Sequence, residues 1–290
     1  VRRLAVIALA AATVVAGAQA PDVRVRVDAT GSYRFTGEGP SLLRYYSVFG
    51  RYSTVGLIFY LEPGFRAYVS QKLERISRDA DIDPIDEAYV EDEGIWRVGK
   101  QYLPFGSGNL LRETGLGVRG DTNLIFEELP MSIAFFDTGE GRQQGVVGRL
   151  GTRFGLSFAF GRHFGQNATA LTYIRRPEET LGRGRGWKRA LGFDFSRRTG
   201  NVTISGEALI LRDGETLADE DLTVFDIGIR YQPSFQQWLE AGYTRDATRG
   251  IGYLRLRGSA SLENNLSIEP FLRFRGSRLY DLGVELRVRL

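Results

Sequence analysis

From Arg278 to Leu290 the side chains alternate without a break. Leu282, Val284, Leu286, Val288 and Leu290 fall on one parity, and Asp281, Glu285, Arg287 and Arg289 on the other. A period of two belongs to a strand. With one face aliphatic and the other charged, this strand separates an apolar medium from water. Shorter stretches of the same alternation recur back to the N-terminus, divided by clusters of Gly, Asp, Asn and Pro that read as turns. They predict strands at 22–36, 41–62, 65–76, 85–92, 94–103, 122–137, 144–151, 153–162, 168–175, 188–197, 201–212, 222–232, 235–246, 250–263, 265–275 and 278–290, sixteen in all. Val23, Val25, Val27, Tyr33 and Phe35 share the apolar face of the first strand. Pro130 lies inside the sixth and must sit at a bulge or a strand end, because it cannot donate to the ladder.

No later window is apolar for the 18 or so residues that a membrane-crossing helix needs. The mean hydropathy of −0.21 resembles that of a soluble chain, but a barrel hides from such averages because only alternate residues meet lipid. The pattern therefore predicts an all-β fold, an antiparallel transmembrane β-barrel of about 16 strands in the cell outer membrane. The long second strand and the region 122–151 leave 14 or 18 strands open. An even count puts both termini on the periplasmic side. On this register the short turns at 62–64, 92–94, 198–200, 233–234 and 263–264 are periplasmic, and the longer connections at 77–84, 104–121, 176–187 and 213–221 lie outside.

The chain opens Val1-Arg2-Arg3, continues uncharged from Leu4 to Val15, and reaches small residues up to Ala20. This describes a signal peptide over 1–20, cleaved after Ala18 or Ala20, ahead of a single barrel domain over 21–290. The mature chain supplies about 17 residues for each strand with its connection, which leaves little mass for a plug. A ring of that size encloses water unless something folds into it.

The formal charge is +3, and two of the basic residues, Arg2 and Arg3, belong to the leader. Near-neutrality gives no argument for nucleic acid. Lys72, Lys100 and Lys188 are the only lysines; every other basic residue is arginine. There is no cysteine, so a closed hydrogen-bonded ladder rather than disulfides must hold this exported chain. One histidine, His163, excludes a multi-histidine metal site. It falls in an expected periplasmic turn near Asn167 and lacks the serine two residues on that a barrel phospholipase would use; that position is Gly165. Asp79, Asp81 and Asp83 are spaced like the start of a calcium loop, but Pro84 and Val90 stand where glycine and glutamate are needed. Neither a catalytic set, a metal site nor a cofactor is expected. The stretch Leu181–Trp187, with Arg175, Arg176, Lys188 and Arg189, makes a basic external loop suited to anionic lipid headgroups, including lipopolysaccharide, or to a solute.

If the aliphatic parity meets lipid, the charged parity meets the lumen, since a charge at mid-membrane costs about 2–4 kcal/mol. That parity carries Arg24 and Arg26, then Arg255 and Arg257, Arg273 and Arg275, and Arg287 and Arg289. Pairing of the first and last strands would bring them onto one wall. Two readings stay open: arginines balanced by nearby carboxylates, or an arginine track that selects anions.

The segments Glu87-Ala88-Tyr89-Val90 and Ile95-Trp96-Arg97-Val98-Gly99-Lys100-Gln101-Tyr102-Leu103-Pro104-Phe105-Gly106 resemble a signature of the phosphate-selective porin superfamily, especially its siderophore-porin branch. The resemblance implies a sixteen-stranded barrel, often trimeric, whose long loop after the fifth strand folds inward and narrows the lumen. Here that loop would be 104–121, helped by Gly106, Gly108, Gly115 and Gly117, with Arg112 and Glu113 nearest the constriction. The function implied is passive diffusion of small hydrophilic solutes, leaning toward anions. A structural or adhesive barrel without an open channel is the alternative, and an outer-membrane phospholipase a further one.

Overall fold

The computed structural model describes residues 22–36, 43–47, 53–73, 85–124, 129–137, 144–162, 187–213 and 222–290. The leader, the strand expected at 168–175, Asp79 to Asp83, His163 and most of the basic loop before Trp187 lie outside these residues. The described strands are β1 (Asp22–Thr36), β2 (Leu43–Ser47), β3 (Thr54–Glu62), β4 (Phe65–Lys72), β5 (Ile85–Asp92) and β6 (Trp96–Tyr102). They continue as β7 (Thr114–Leu124), β8 (Leu129–Asp137), β9 (Gln144–Leu150), β10 (Phe154–Arg162), β11 (Trp187–Thr199) and β12 (Val202–Asp213). The remaining five are β13 (Leu222–Ser234), β14 (Gln237–Asp246), β15 (Ile251–Glu263), β16 (Leu266–Arg275) and β17 (Arg278–Arg289).

From β3 onward every strand pairs antiparallel with its successor, and β17 returns to β1. Segments β2 and β3 pair with successive halves of the same edge of β1 and so share one position in the ring. The result is a closed antiparallel barrel of 16 strands. Closing the ring pairs the first strand with the last, which is what lets β-structure cross a bilayer without orphaned backbone groups. The C-terminus locks the seam: Val27 and Leu290 exchange backbone N–H···O bonds of 3.0 and 2.9 Å.

The count of sixteen agrees with the sequence, although two of its boundaries do not. Residues 114–121, read as loop, are the first part of β7, and Pro130 is the second residue of β8 rather than the middle of one long strand. In compensation, β10 pairs directly with β11 along its whole length, so no strand from 168–175 stands between them. Gly115, Gly117 and Gly120 dilute the alternation of β7 and disguise it as a loop.

The two faces differ as the alternation requires. Phe154, Leu156, Phe158 and Phe160 point outward from β10, with Phe154 67% exposed; Gly155, Ser157, Ala159 and Gly161 point inward. Leu191, Ile227, Ile229, Leu239, Leu254, Leu256 and Leu286 extend the outer apolar surface around the ring. A continuous belt of this extent is incompatible with water and fits acyl chains. Aromatic pairs mark its margins: Phe65 meets Trp96 edge-on near the terminal end, and Phe160 stacks on Trp187 at 4.7 Å toward the other. Lys188, expected in the basic external loop, instead faces inward and is buried; Arg189 faces out.

Candidate functional site

The connection from β6 to β7 spans 103–113, shorter than the 104–121 expected, and it does not leave the barrel. A hydrogen bond from Leu103 N–H to Glu113 O, 2.9 Å, closes its base. Beyond that base the chain crosses the interior to β10 and β12. Gly106 N–H donates to Ser157 Oγ at 2.9 Å. Glu207 Oε2 accepts from Ser107 Oγ at 2.6 Å, Asn109 N–H at 2.9 Å and Leu110 N–H at 3.3 Å. One inward carboxylate thus holds three donors of a loop lying nearly 100 residues away in sequence.

Apolar contacts complete the docking. Leu103, Phe105, Leu110 and Leu111 join a buried cluster with Ala134, Phe136, Val147, Ala159, Ala190, Leu209, Leu211, Leu222 and Val224 from the inner faces of β8 to β13. Leu110 is 0% exposed. Burying a side chain of this size contributes about 1.5–3 kcal/mol. The wall makes room with small residues: a Cβ on Gly192 would stand 2.8 Å from the Phe105 ring. Gly106 has φ of +56°, and a Cβ there would meet the Glu207 carboxylate at 2.0 Å, so only glycine serves.

The loop therefore covers an apolar arc of the inner wall. The arc facing it, built by β1, β3 to β6 and β14 to β17, is charged. All eight arginines singled out from the sequence lie on the inward parity of their strands, but they differ in their partners. Arg255 donates to Asp226 at 2.5 and 2.9 Å and reaches Glu240 at 3.5 Å. Arg257 reaches Glu269 at 3.3 Å. Arg273 forms a two-pronged pair with Asp281, and Arg287 another with Asp28 at 2.8 and 2.5 Å. Arg289 stands 3.8 Å from Asp28, and Arg24 3.1 Å from Asp22. Arg275 occupies the last position of β16, beside the turn at Gly276. Arg26 alone of the eight has no partner among the described residues.

Arg112 and Glu113 lie on the return leg of the loop. The Arg112 guanidinium sits over the Tyr102 ring, 4.2 Å from its centre. It turns toward β1, so that Arg112, Arg26 and Arg287 face one cavity of about 90 Å³ shared with Asp28, Thr54, Tyr68, Asp86 and Glu87. Glu113 is not part of that lining. Sequence reasoning missed Glu207, Phe105, Leu110 and Leu111. The traceable signal was the run of small residues Gly155, Ser157, Ala159 and Gly161 on an inward parity, which lines a lumen wall only where something packs against it.

A sixteen-stranded closed barrel with an apolar exterior, a charged interior and a loop docked inside is the architecture of outer-membrane porins. No protein-family model matches the chain, and no curated protein does. Solved structures share the fold at low identity. The chain is similar to an anion-selective porin from Comamonas acidovorans, with TM-score 0.66 and 10% identity over 93% of this chain and 100% of the other. It is similar to a loop L8 deletion mutant of OmpT, an outer membrane protein of Vibrio cholerae, with TM-score 0.63 and 11% identity over 94% and 100%. It is also similar to Salmonella typhi OmpF, solved in complex with daunomycin, with TM-score 0.60 and 13% identity over 93% and 98%.

Proposed function

We propose that this barrel is a diffusion channel that passes small hydrophilic solutes across the outer membrane without chemical change. The observation that carries it is the docking of loop 103–113 against one arc only, opposite an arc lined by charged side chains. A structural or adhesive barrel has no need of an internal loop clamped by a buried carboxylate. Reconstitution in planar bilayers tests the reading: stepwise single-channel currents are expected, and a folded, inserted protein that carries none would overturn it.

Membership of the siderophore-porin branch is supported by the site. The signature segment ends at Leu103-Pro104-Phe105-Gly106, where the loop turns inward and anchors. The lean toward anions is carried by Arg26, while the pairing of Arg255, Arg257, Arg273 and Arg287 keeps it modest. Assembly as a homotrimer belongs to the same reading, since the resemblance that implies the inward loop implies it too. Light scattering in detergent would report the mass. Lipopolysaccharide phosphate is a fitting partner for Arg189 and Arg212, which stand opposite each other on the outward parity of β11 and β12.

A further inference from the structure

Arginines on the two faces of the barrel differ in their company. Inside, Arg230, Arg255, Arg257, Arg273 and Arg287 each meet a carboxylate. Outside, Arg245 meets none among the described residues. It lies near the end of β14, at the rim of the barrel away from the chain termini. It shares the outward parity of Leu239 and Tyr243. Its cross-strand neighbours are Phe225 on β13 and Gly252 on β15, an apolar ring on one side and no side chain on the other. Asp246, next in sequence, faces inward, is 1% exposed and accepts the Arg249 N–H at 3.0 Å. A guanidinium at the margin of an apolar belt keeps its charge and draws an anion from the headgroup layer beside it.

Gly252 turns this position into a notch. With Gly250 and Gly276 it opens a groove of about 370 Å³ in the wall, bounded by Tyr243, Arg245 and Leu254. The backbone beneath is satisfied, since Gly276 N–H donates to Gly252 O at 2.8 Å. Tyr243 leans into the gap: a Cβ on Gly252 would stand 2.3 Å from its hydroxyl. The groove thus has a cation and a phenol at its rim. Below them Leu254 and Leu256, 40% and 41% exposed, lead into the apolar belt. Arg275 also lines the groove but is already engaged, so it has no part in the site.

We propose that this groove seats the phosphorylated sugar of lipid A, with its phosphate on the Arg245 guanidinium and Tyr243 hydroxyl and an acyl chain along Leu254 and Leu256. In a barrel whose termini are periplasmic this rim lies in the outer leaflet, where the lipid is lipopolysaccharide. Two features select the occupant. The cation stands outward at headgroup level, with no carboxylate beside it among the described residues. The groove runs from that cation to aliphatic side chains, so its ligand joins an anion to hydrocarbon; free phosphate would use only half of it. The inference rests on the lipopolysaccharide reading of the outer face and gives it a second, built seat beyond Arg189 and Arg212 of β11 and β12.

The test is thermal unfolding of the full chain in neutral detergent, followed by the change in electrophoretic mobility on heating. The probes are lipid A, dephosphorylated lipid A, phosphatidylglycerol and inorganic phosphate. Lipid A should raise the midpoint saturably, and the other three should raise it far less. Arg245→Gln should increase the lipid A concentration needed for half the shift roughly fivefold, the contribution of one arginine near an anionic surface. Gly252→Leu fills the groove and should weaken the response at least as much. Its Cβ displaces only the tip of Tyr243, so the strand still forms. The mobility change itself shows that each variant is folded. A parent-like response from Arg245→Gln or Gly252→Leu overturns the seat; if Arg189→Gln then weakens the response, the lipopolysaccharide reading stands without it. Equal stabilisation by phosphatidylglycerol or inorganic phosphate overturns the seat as well. No stabilisation of the parent by lipid A removes both.

Discussion

Glu207 shows how much one side chain can decide. It is 3% exposed, sits between Asp194 and Asp226 on the neighbouring strands, and has no arginine of its own among the described residues. Arg149 holds Asp194 and Arg255 holds Asp226, while Glu207 spends one oxygen on three loop donors. Replacing it with alanine orphans those donors at about 1 kcal/mol or more apiece, so the loop should lose roughly 3 kcal/mol of docking. Glu207→Ala is therefore expected to raise single-channel conductance and its noise, and to make loop 103–113 a site of protease cleavage in the folded barrel. Unchanged conductance would show that the loop is held by its leucines alone. Gly192→Leu attacks the same dock from the apolar side. Its side chain would occupy the Phe105 socket, with an expected cost of about 1–3 kcal/mol and the same rise in conductance.

A strand here is an insulator between two media, and substitutions on its two faces should behave oppositely. Leu256 of β15 faces lipid among Ala241 and Leu272, whereas Ser259 on the same strand faces the lumen. Leu256→Arg is expected to cost about 2–4 kcal/mol of folding stability in vesicles, and Ser259→Arg under about 1. Urea titration of folding into lipid compares them directly. The alternation that makes this prediction was plain in β10, β11, β13 and β17, where one parity is apolar and the other small or charged. It was faint in β7, where Gly115, Gly117 and Gly120 carry no side chain to alternate. Such a strand is defined by its neighbours β6 and β8, through hydrogen bonds its own residues do not announce.

For the barrel as an ensemble of charges, selectivity depends on how many lumen arginines are neutralised. Reversal potentials in a salt gradient should lie near zero, displaced slightly to the anion side. Glu269→Gln together with Asp281→Asn removes the nearer partner of Arg257, leaving Glu285 at 4.0 Å, and the partner of Arg273, and should shift the potential toward anions, an effect that fades as salt screens the wall. A shift toward cations would contradict the pairing.

The arginines at 24, 26, 255, 257, 273, 275, 287 and 289 were recognisable as inward-facing from position alone, because side-chain direction along a strand follows backbone geometry over two residues. So were the apolar exterior and the closed ring it demands. The place where the loop docks and the partner each arginine takes were not. Asp28 and Arg287 meet across 259 residues of chain, and the loop finds Glu207 across about 100. A local alternation states which medium a side chain meets; only the closed register brings distant side chains within bonding distance of one another.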